Sequence, residues 1–134
     1  MIDIEVFEQI LMMDENDDHE FSKDLVTNYF EQATSTFESM RNAIKENNLI
    51  EVSKLGHFLK GSSAALGITK VKDYCEKIQH YGKCKDVDAT TPITPENALH
   101  LCEEMLKMAE ESYREYEDLL KKAYSNNDFK ILGM

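Results

Sequence analysis

Tryptophan is absent from this chain, and its only two prolines are Pro92 and Pro95. Long stretches on either side are therefore free of the residue that most reliably breaks a helix. Positive charge is scarce as well. Fifteen Lys and Arg stand against 26 Asp and Glu, a net charge of −11, which argues against a sequence-independent grip on nucleic acid or on anionic lipid. Cysteine is limited to Cys75, Cys84 and Cys102, an odd number with no Cys-x-x-Cys pair. A disulfide framework and a paired-cysteine zinc site both lack support, and reduced thiols in a cytosolic protein are the expectation. No apolar run approaches the roughly 18 residues that cross a bilayer, and the first residues are acidic, so neither a membrane span nor a signal peptide is expected. No segment alternates at period two for long enough to argue a strand, and no repeat or low-complexity tract occurs.

What is present is helical periodicity. With 134 residues, 42% hydrophobic and 31% charged, the chain fits one domain over residues 1–134 that buries about two-thirds of its unfolded surface. Residues 3–13 carry Ile4, Phe7, Ile10 and Leu11, a short amphipathic helix ending in the acidic run from Asp14 to Asp18. From about 18 to 47, Val26, Phe30, Ala33, Phe37, Met40 and Ile44 recur at alternating four and three, the seam of a helix among antiparallel neighbours. Asn47-Asn48 breaks that helix and offers the N-cap of a third over about 49–66, and Gly67 can take the left-handed residue that ends it. Thr69 is the expected cap of a fourth helix over about 70–83, with Val71, Tyr74, Cys75, Ile78 and Gly82 facing inward. Thr94 followed by Pro95 opens the last long helix. Four helices with one seam each predict an all-α, antiparallel up-down-up-down four-helix bundle, with the short additional N-terminal helix capping one end.

The third helix holds the residue that composition does not explain. At about 100° per residue, Val52, Leu55, Leu59, Ser62 and Leu66 form its apolar stripe. His57 then points to the opposite side, sharing its face with Lys60, Gly61 and the small residues Ser53 and Ala64. Glycine inside a helix costs about 0.5–1 kcal/mol relative to alanine, so helix stability does not account for Gly61 or Gly56. Both are expected to lie away from the core, and an exposed histidine with glycine one turn on suits a surface that another backbone approaches closely. His19, His80 and His100 have no such surroundings. Gln79, at the edge of the fourth helix's apolar face, could reach His57, where its carboxamide oxygen would accept the Nδ1 proton and leave the Nε2 lone pair free. Lys60 supplies positive charge without being a competing nucleophile.

The string His57-Phe58-Leu59-Lys60-Gly61-Ser62-Ser63, followed by Ala64-Ala65-Leu66-Gly67, resembles the phosphorylation motif of histidine-containing phosphotransfer (HPt) domains, above all the fungal phosphorelay intermediates. The similarity continues through Cys75-Glu76-Lys77-Ile78-Gln79 and back to Phe21-Ser22-Lys23, and so covers most of residues 7–83. It implies that His57 is the phosphoacceptor, that Lys60 positions or neutralises the phosphoryl group and that Gly61 keeps the approach open. It also implies that Gln79 hydrogen-bonds the histidine. Lys83 falls where related fungal proteins carry a second basic residue, commonly arginine, and here lacks the planar fork of a guanidinium. The family docks receiver domains partly through its first helix, where Val6, Ile10 and Met13 are the matching candidates, a core role for Ile10 being an equal alternative.

The resemblance therefore implies a relay. A receiver domain of a hybrid sensor histidine kinase would pass a phosphoryl group from its aspartate to His57, and response-regulator receivers would take it away. No cofactor is expected on this chain; Mg²⁺ would sit on the partner receiver. The molecule is expected to be a monomer, in cytoplasm and nucleus, with no nucleic-acid or membrane partner. An autonomous ATP-dependent kinase is not supported, because Gly56 to Ser62 has its lysine before the second glycine and no strand leads in. A di-iron bundle is not supported either: the residues three before the histidines are Asn16, Lys54, Lys77 and Asn97, never glutamate. An adaptor bundle that binds partners without transferring phosphate is the remaining alternative.

Overall fold

Breaks and caps divide the described residues into five α-helices. The structure, a computed structural model, describes residues 2–134. Helix α1 spans Ile4–Met12, with Asp3 accepting the Val6 amide at its start. Helix α2, Glu20–Lys45, begins after His19, which is held in the left-handed region at φ 54°. Its first turn is capped from outside by Asp14, which accepts the Ser22 amide and the Ser22 hydroxyl, each at 2.7 Å. Helix α3, Leu49–Ala65, starts where Asn48 accepts the Glu51 amide, and it ends before Gly67 at φ +74°. Helix α4, Thr69–Gly82, differs from the sequence expectation at its start. Thr69 is already helical and the flanking residue is Ile68, which makes no side-chain cap. Ile68 is wholly buried, so burial of its side chain sets the helix start, and the Thr69 hydroxyl meets the Tyr116 hydroxyl at 3.3 Å instead. Helix α5, Pro95–Ser125, has the expected Thr94 cap, which accepts the Asn97 amide at 3.2 Å. A 3-10 turn, Phe129–Leu132, follows.

The pairings α2 with α3, α3 with α4, α4 with α5 and α5 with α2 close an antiparallel up-down-up-down bundle. Among the described residues there are no strands, only isolated bridges such as Ile2 with Ile68. Cross-helix contacts fix the register. Tyr29 meets Ser63 at 2.8 Å, Cys102 Sγ approaches the Ile78 carbonyl at 3.8 Å, and Tyr124 reaches Ser22 at 2.8 Å. Tyr116, Phe7, Met40, Leu59 and Ile68 are among the largest enclosed side chains, each contributing about 1.5–3 kcal/mol by leaving water. Helix α1 closes one end through Phe7 and Ile10, and the Asp3 amide donates to the Gly67 carbonyl at 2.7 Å.

Helix α3 sets up the site because it packs against α4, α2 and α5 together. Its buried arc is accordingly wider than a single stripe and includes Val52, Ser53, Gly56, Leu59 and Ser63. His57, Phe58, Gly61 and Ala64 remain exposed. Gly56 is therefore not on the open face, contrary to the sequence reading. A Cβ there would lie 2.9 Å from the Cys75 carbonyl and 3.0 Å from the Gln79 amide nitrogen. Glycine at 56 lets the two helix backbones touch.

Candidate functional site

On the outer side of α3 and α4, Ser53, Lys54, His57, Gln79 and Lys83 line an open depression of about 340 Å³. The α3–α4 register beneath it is held by two glycines and a serine. Gly56 admits the backbone of α4, and a Cβ on Gly82 would stand 2.8 Å from both Cβ and N of Ser53. Ser53 Oγ in turn donates to the Gln79 carbonyl at 2.9 Å. Ser53, expected as a small exposed residue of the docking face, is buried at 5% exposure; it serves as the floor that ties the two helices together.

His57 stands exposed at the rim. Each of the other histidines lies beside a carboxylate: His19 and Asp14 at 2.8 Å, His80 and Glu76 at 4.0 Å, His100 and Glu104 at 3.0 Å. Among the described residues His57 has no such neighbour, so its ring is not engaged by an internal anion. Gln79 lines the same depression, but its Oε1 is buried and without a hydrogen-bond partner. The expected bond from His57 is thus unmade here, although both side chains line the same depression. Lys60 is half-buried one turn beyond His57, and Lys83 is exposed just past the end of α4. Gly61 is open: a Cβ there would meet nothing within 4 Å.

The charge around the imidazole is one-sided. No carboxylate lines the depression, and among the described residues Lys54, Lys60 and Lys83 form no ion pair, while Lys72, Lys121 and Arg114 are each close to an acidic side chain. In a chain of net charge −11 that local arrangement favours an anion at His57. The buried thiols do not compete as nucleophiles, because burial pushes both Cys75 and Cys102 up to about 12, and the thiolate is the reactive form. Among the described residues no group of three His, Cys, Asp or Glu side chains is placed to hold a metal ion.

Of the expected first-helix docking residues, Met13 is exposed and Val6 half-buried, whereas Ile10 is 7% exposed and belongs to the core. Ala64 is exposed as expected. Sequence reading missed Met12, Phe21, Leu25 and Phe58, all large, apolar and exposed. Met13 and Phe21 share one hollow rimmed by Glu15, Asp18, Glu20 and Asp24, while Leu25 joins Ser62 and Ala65 in another. The first hollow joins the end of α1 to α2, and the second joins α2 to α3. A lone exposed apolar residue is ordinary; the shared hollows mark Met13 with Phe21, and Leu25 with α3, while Met12 and Phe58 stand out by exposure alone.

Comparison with known proteins agrees with this architecture. The Hpt domain family matches residues 24–126. The chain is 43% identical over 128 residues to multistep phosphorelay regulator 1 of Schizosaccharomyces pombe, covering 95% of this chain and 43% of that protein. It is 50% identical over 82 residues to phosphorelay intermediate protein YPD1 of Candida albicans, covering 61% of this chain and 44% of that one. The chain thus spans less than half the length of these relatives. In three dimensions it is similar to the histidine phosphotransfer signaling protein Ypd1 of Saccharomyces cerevisiae, solved as a co-crystal with the receiver domain of its downstream response regulator Ssk1. The TM-score is 0.78 at 29% identity, over 94% of each chain.

Proposed function

The chain belongs to the Hpt domain family, and from that membership we propose that it is a phosphorelay intermediate whose phosphoacceptor is His57. It takes a phosphoryl group from the aspartate of a sensor-kinase receiver domain and hands it to the aspartate of a response-regulator receiver. The observation that carries this reading is the exposed, carboxylate-free ring of His57 among lysines, with Gly61 open beside it.

The Nε2 lone pair attacks phosphorus in line. A P–N bond forms, the P–O bond to the aspartate breaks, and the carboxylate leaves with the electron pair. Gln79 Oε1, buried and unpaired, is the acceptor available for the Nδ1 proton. Pairing it relieves a desolvation penalty of about 1–3 kcal/mol and steadies the ring as positive charge develops. Lys60 and Lys83 offset the charge of the phosphoryl oxygens, and the exposed Met13, Phe21, Leu25 and Phe58 supply the apolar area for the receiver. Transfer of this kind rests on positioning and electrostatics, and Mg²⁺ belongs to the receiver. The protein works as a monomer in cytoplasm and nucleus and has no ATP-dependent kinase activity of its own.

The test is label transfer from a phosphorylated receiver. His57→Gln should remain folded by circular dichroism and accept no label. Gly61→Gln should keep the nucleophile yet slow transfer at least tenfold by obstructing the receiver, and ATP alone should label nothing. Undiminished labelling of His57→Gln would falsify the assignment. A chain that binds receivers and never takes label is the adaptor of the alternative reading.

A further inference from the structure

Lys54 lies three residues before His57 on α3, outside the motif that singles out His57, Lys60 and Gly61. It is exposed and lines the same depression as His57, Gln79 and Lys83. Residues three apart on a helix are surface neighbours, with Cβ atoms about 5–6 Å from each other. The Lys54 stem therefore starts beside the imidazole on the side opposite Lys60, which lies three residues after it. Among the described residues Lys54 has no ion-pair partner, although Glu51 precedes it by three. Its ammonium is uncommitted.

We propose that Lys54 is a further phosphoryl-binding residue of this site, completing a cradle of cations that receives the phosphoryl oxygens on His57 from the N-terminal side of the ring. The inference rests on His57 being the phosphoacceptor and extends it. Lys60 follows the ring, Lys83 enters from the end of α4, and Lys54 fills the remaining side. A phosphoryl group on Nε2 carries close to two negative charges at neutral pH, so an ammonium within reach stabilises the phosphorylated state over the free one. The effect resides in the equilibrium of the chain itself and does not require a docked receiver.

N-phosphoimidazole separates that effect from any partner. The P–N bond of the reagent breaks, a P–N bond to His57 Nε2 forms, imidazole is released, and phosphorus NMR reads the equilibrium ratio of phosphoprotein to reagent. Lys54→Gln should lower that ratio about threefold at ~20 mM salt, the gap closing toward ~1 M salt as the charges are screened. Lys54→Arg should restore it to within about twofold, and Lys54→Glu should depress it further than Lys54→Gln. Equal ratios for wild type and Lys54→Gln at low salt would overturn the proposal. So would a loss that Lys54→Arg fails to rescue or that salt leaves unchanged, since the role would then be packing and not charge. A wild-type chain labelled by neither this reagent nor a phosphorylated receiver would instead overturn the phosphoacceptor reading beneath it.

Discussion

Two glycines five residues apart on the same helix should respond in opposite directions to one methyl group. At Gly61 a Cβ meets nothing within 4 Å, so Gly61→Ala gains helix propensity and loses no contact, a stabilisation of about 0.5–1 kcal/mol. At Gly56 the same gain is opposed by backbone: the new carbon would sit 2.9 Å from the Cys75 carbonyl oxygen, 3.0 Å from the Gln79 nitrogen and 3.2 Å from Ile78 Cγ2. Neither α3 nor α4 can yield at one residue alone, and overpacking of this kind costs about 1–3 kcal/mol. We expect Gly56→Ala to be destabilised by a net ~1–2 kcal/mol. With an unfolding entropy of about 2.1 cal/mol/K per residue, 1 kcal/mol corresponds to about 3.5 °C in a chain of 134 residues. Thermal and urea unfolding followed by circular dichroism should therefore raise the midpoint of Gly61→Ala by ~2–4 °C and lower that of Gly56→Ala by ~4–7 °C. If both variants move the same way, the close α3–α4 approach at Gly56 is wrong.

The cap at the start of α2 predicts an acid limb. Burial pushes the Asp14 carboxyl up, but hydrogen bonds from the Ser22 hydroxyl and amide and from His19 together outweigh it and hold the group below its ordinary value near 3.8. That stabilisation is complete above about pH 4 and fades as pH falls through the folded value. Asp14→Asn should cost ~1–3 kcal/mol at pH 7 and markedly less at pH 2, whereas an equal loss at both would refute the linkage. Tyr29→Phe leaves the enclosed Ser63 hydroxyl without its partner at 2.8 Å and should lower stability by ~1–2 kcal/mol in urea titrations while His57 labelling by a small phosphodonor is unchanged. Phe21→Asp and Met13→Asp should raise the receiver concentration needed for half-maximal transfer at least fivefold and leave labelling by N-phosphoimidazole intact. A change confined to the small-donor reaction would remove those side chains from the docking face.

The helices and most of their ends could be read from caps and periodicity because those signals are local. Asn48, Gly67 and Thr94 act where a helix must start or stop, whatever surrounds them. Thr69 failed as a cap because a tertiary demand, the burial of Ile68, moved the helix start by one residue. The 3-10 turn at Phe129–Leu132 left no trace in the pattern, since its side chains Phe129 and Leu132 answer to neighbours distant in sequence. At the site, type and spacing singled out His57, Lys60, Gly61 and Gln79, and the resemblance added Lys83; the depression brings His57, Gln79 and Lys83 together, with Lys60 and Gly61 outside its lining. Gly56 and Ser53 were misplaced by a single assumption, that α3 has one buried seam. A helix wedged among three others buries more of its circumference, and a sequence does not count neighbours. Ile10 was ambiguous for a related reason: an amphipathic end-cap offers its apolar side either to the bundle or to a visitor, and Ile10 went to the bundle.

The turn between α3 and α4 has a wider reach than its length suggests. Gly67 accepts the Asp3 amide at 2.7 Å, and any Cβ at 67 would fall 2.8 Å from the Asp3 carbonyl oxygen. The N-terminal helix is thereby latched to the hairpin that carries the imidazole, so nucleophile and first-helix apolar side chains share one origin of measurement. A bulky replacement at this corner would touch neither, yet would misalign them together, like moving the fulcrum of a pair of calipers.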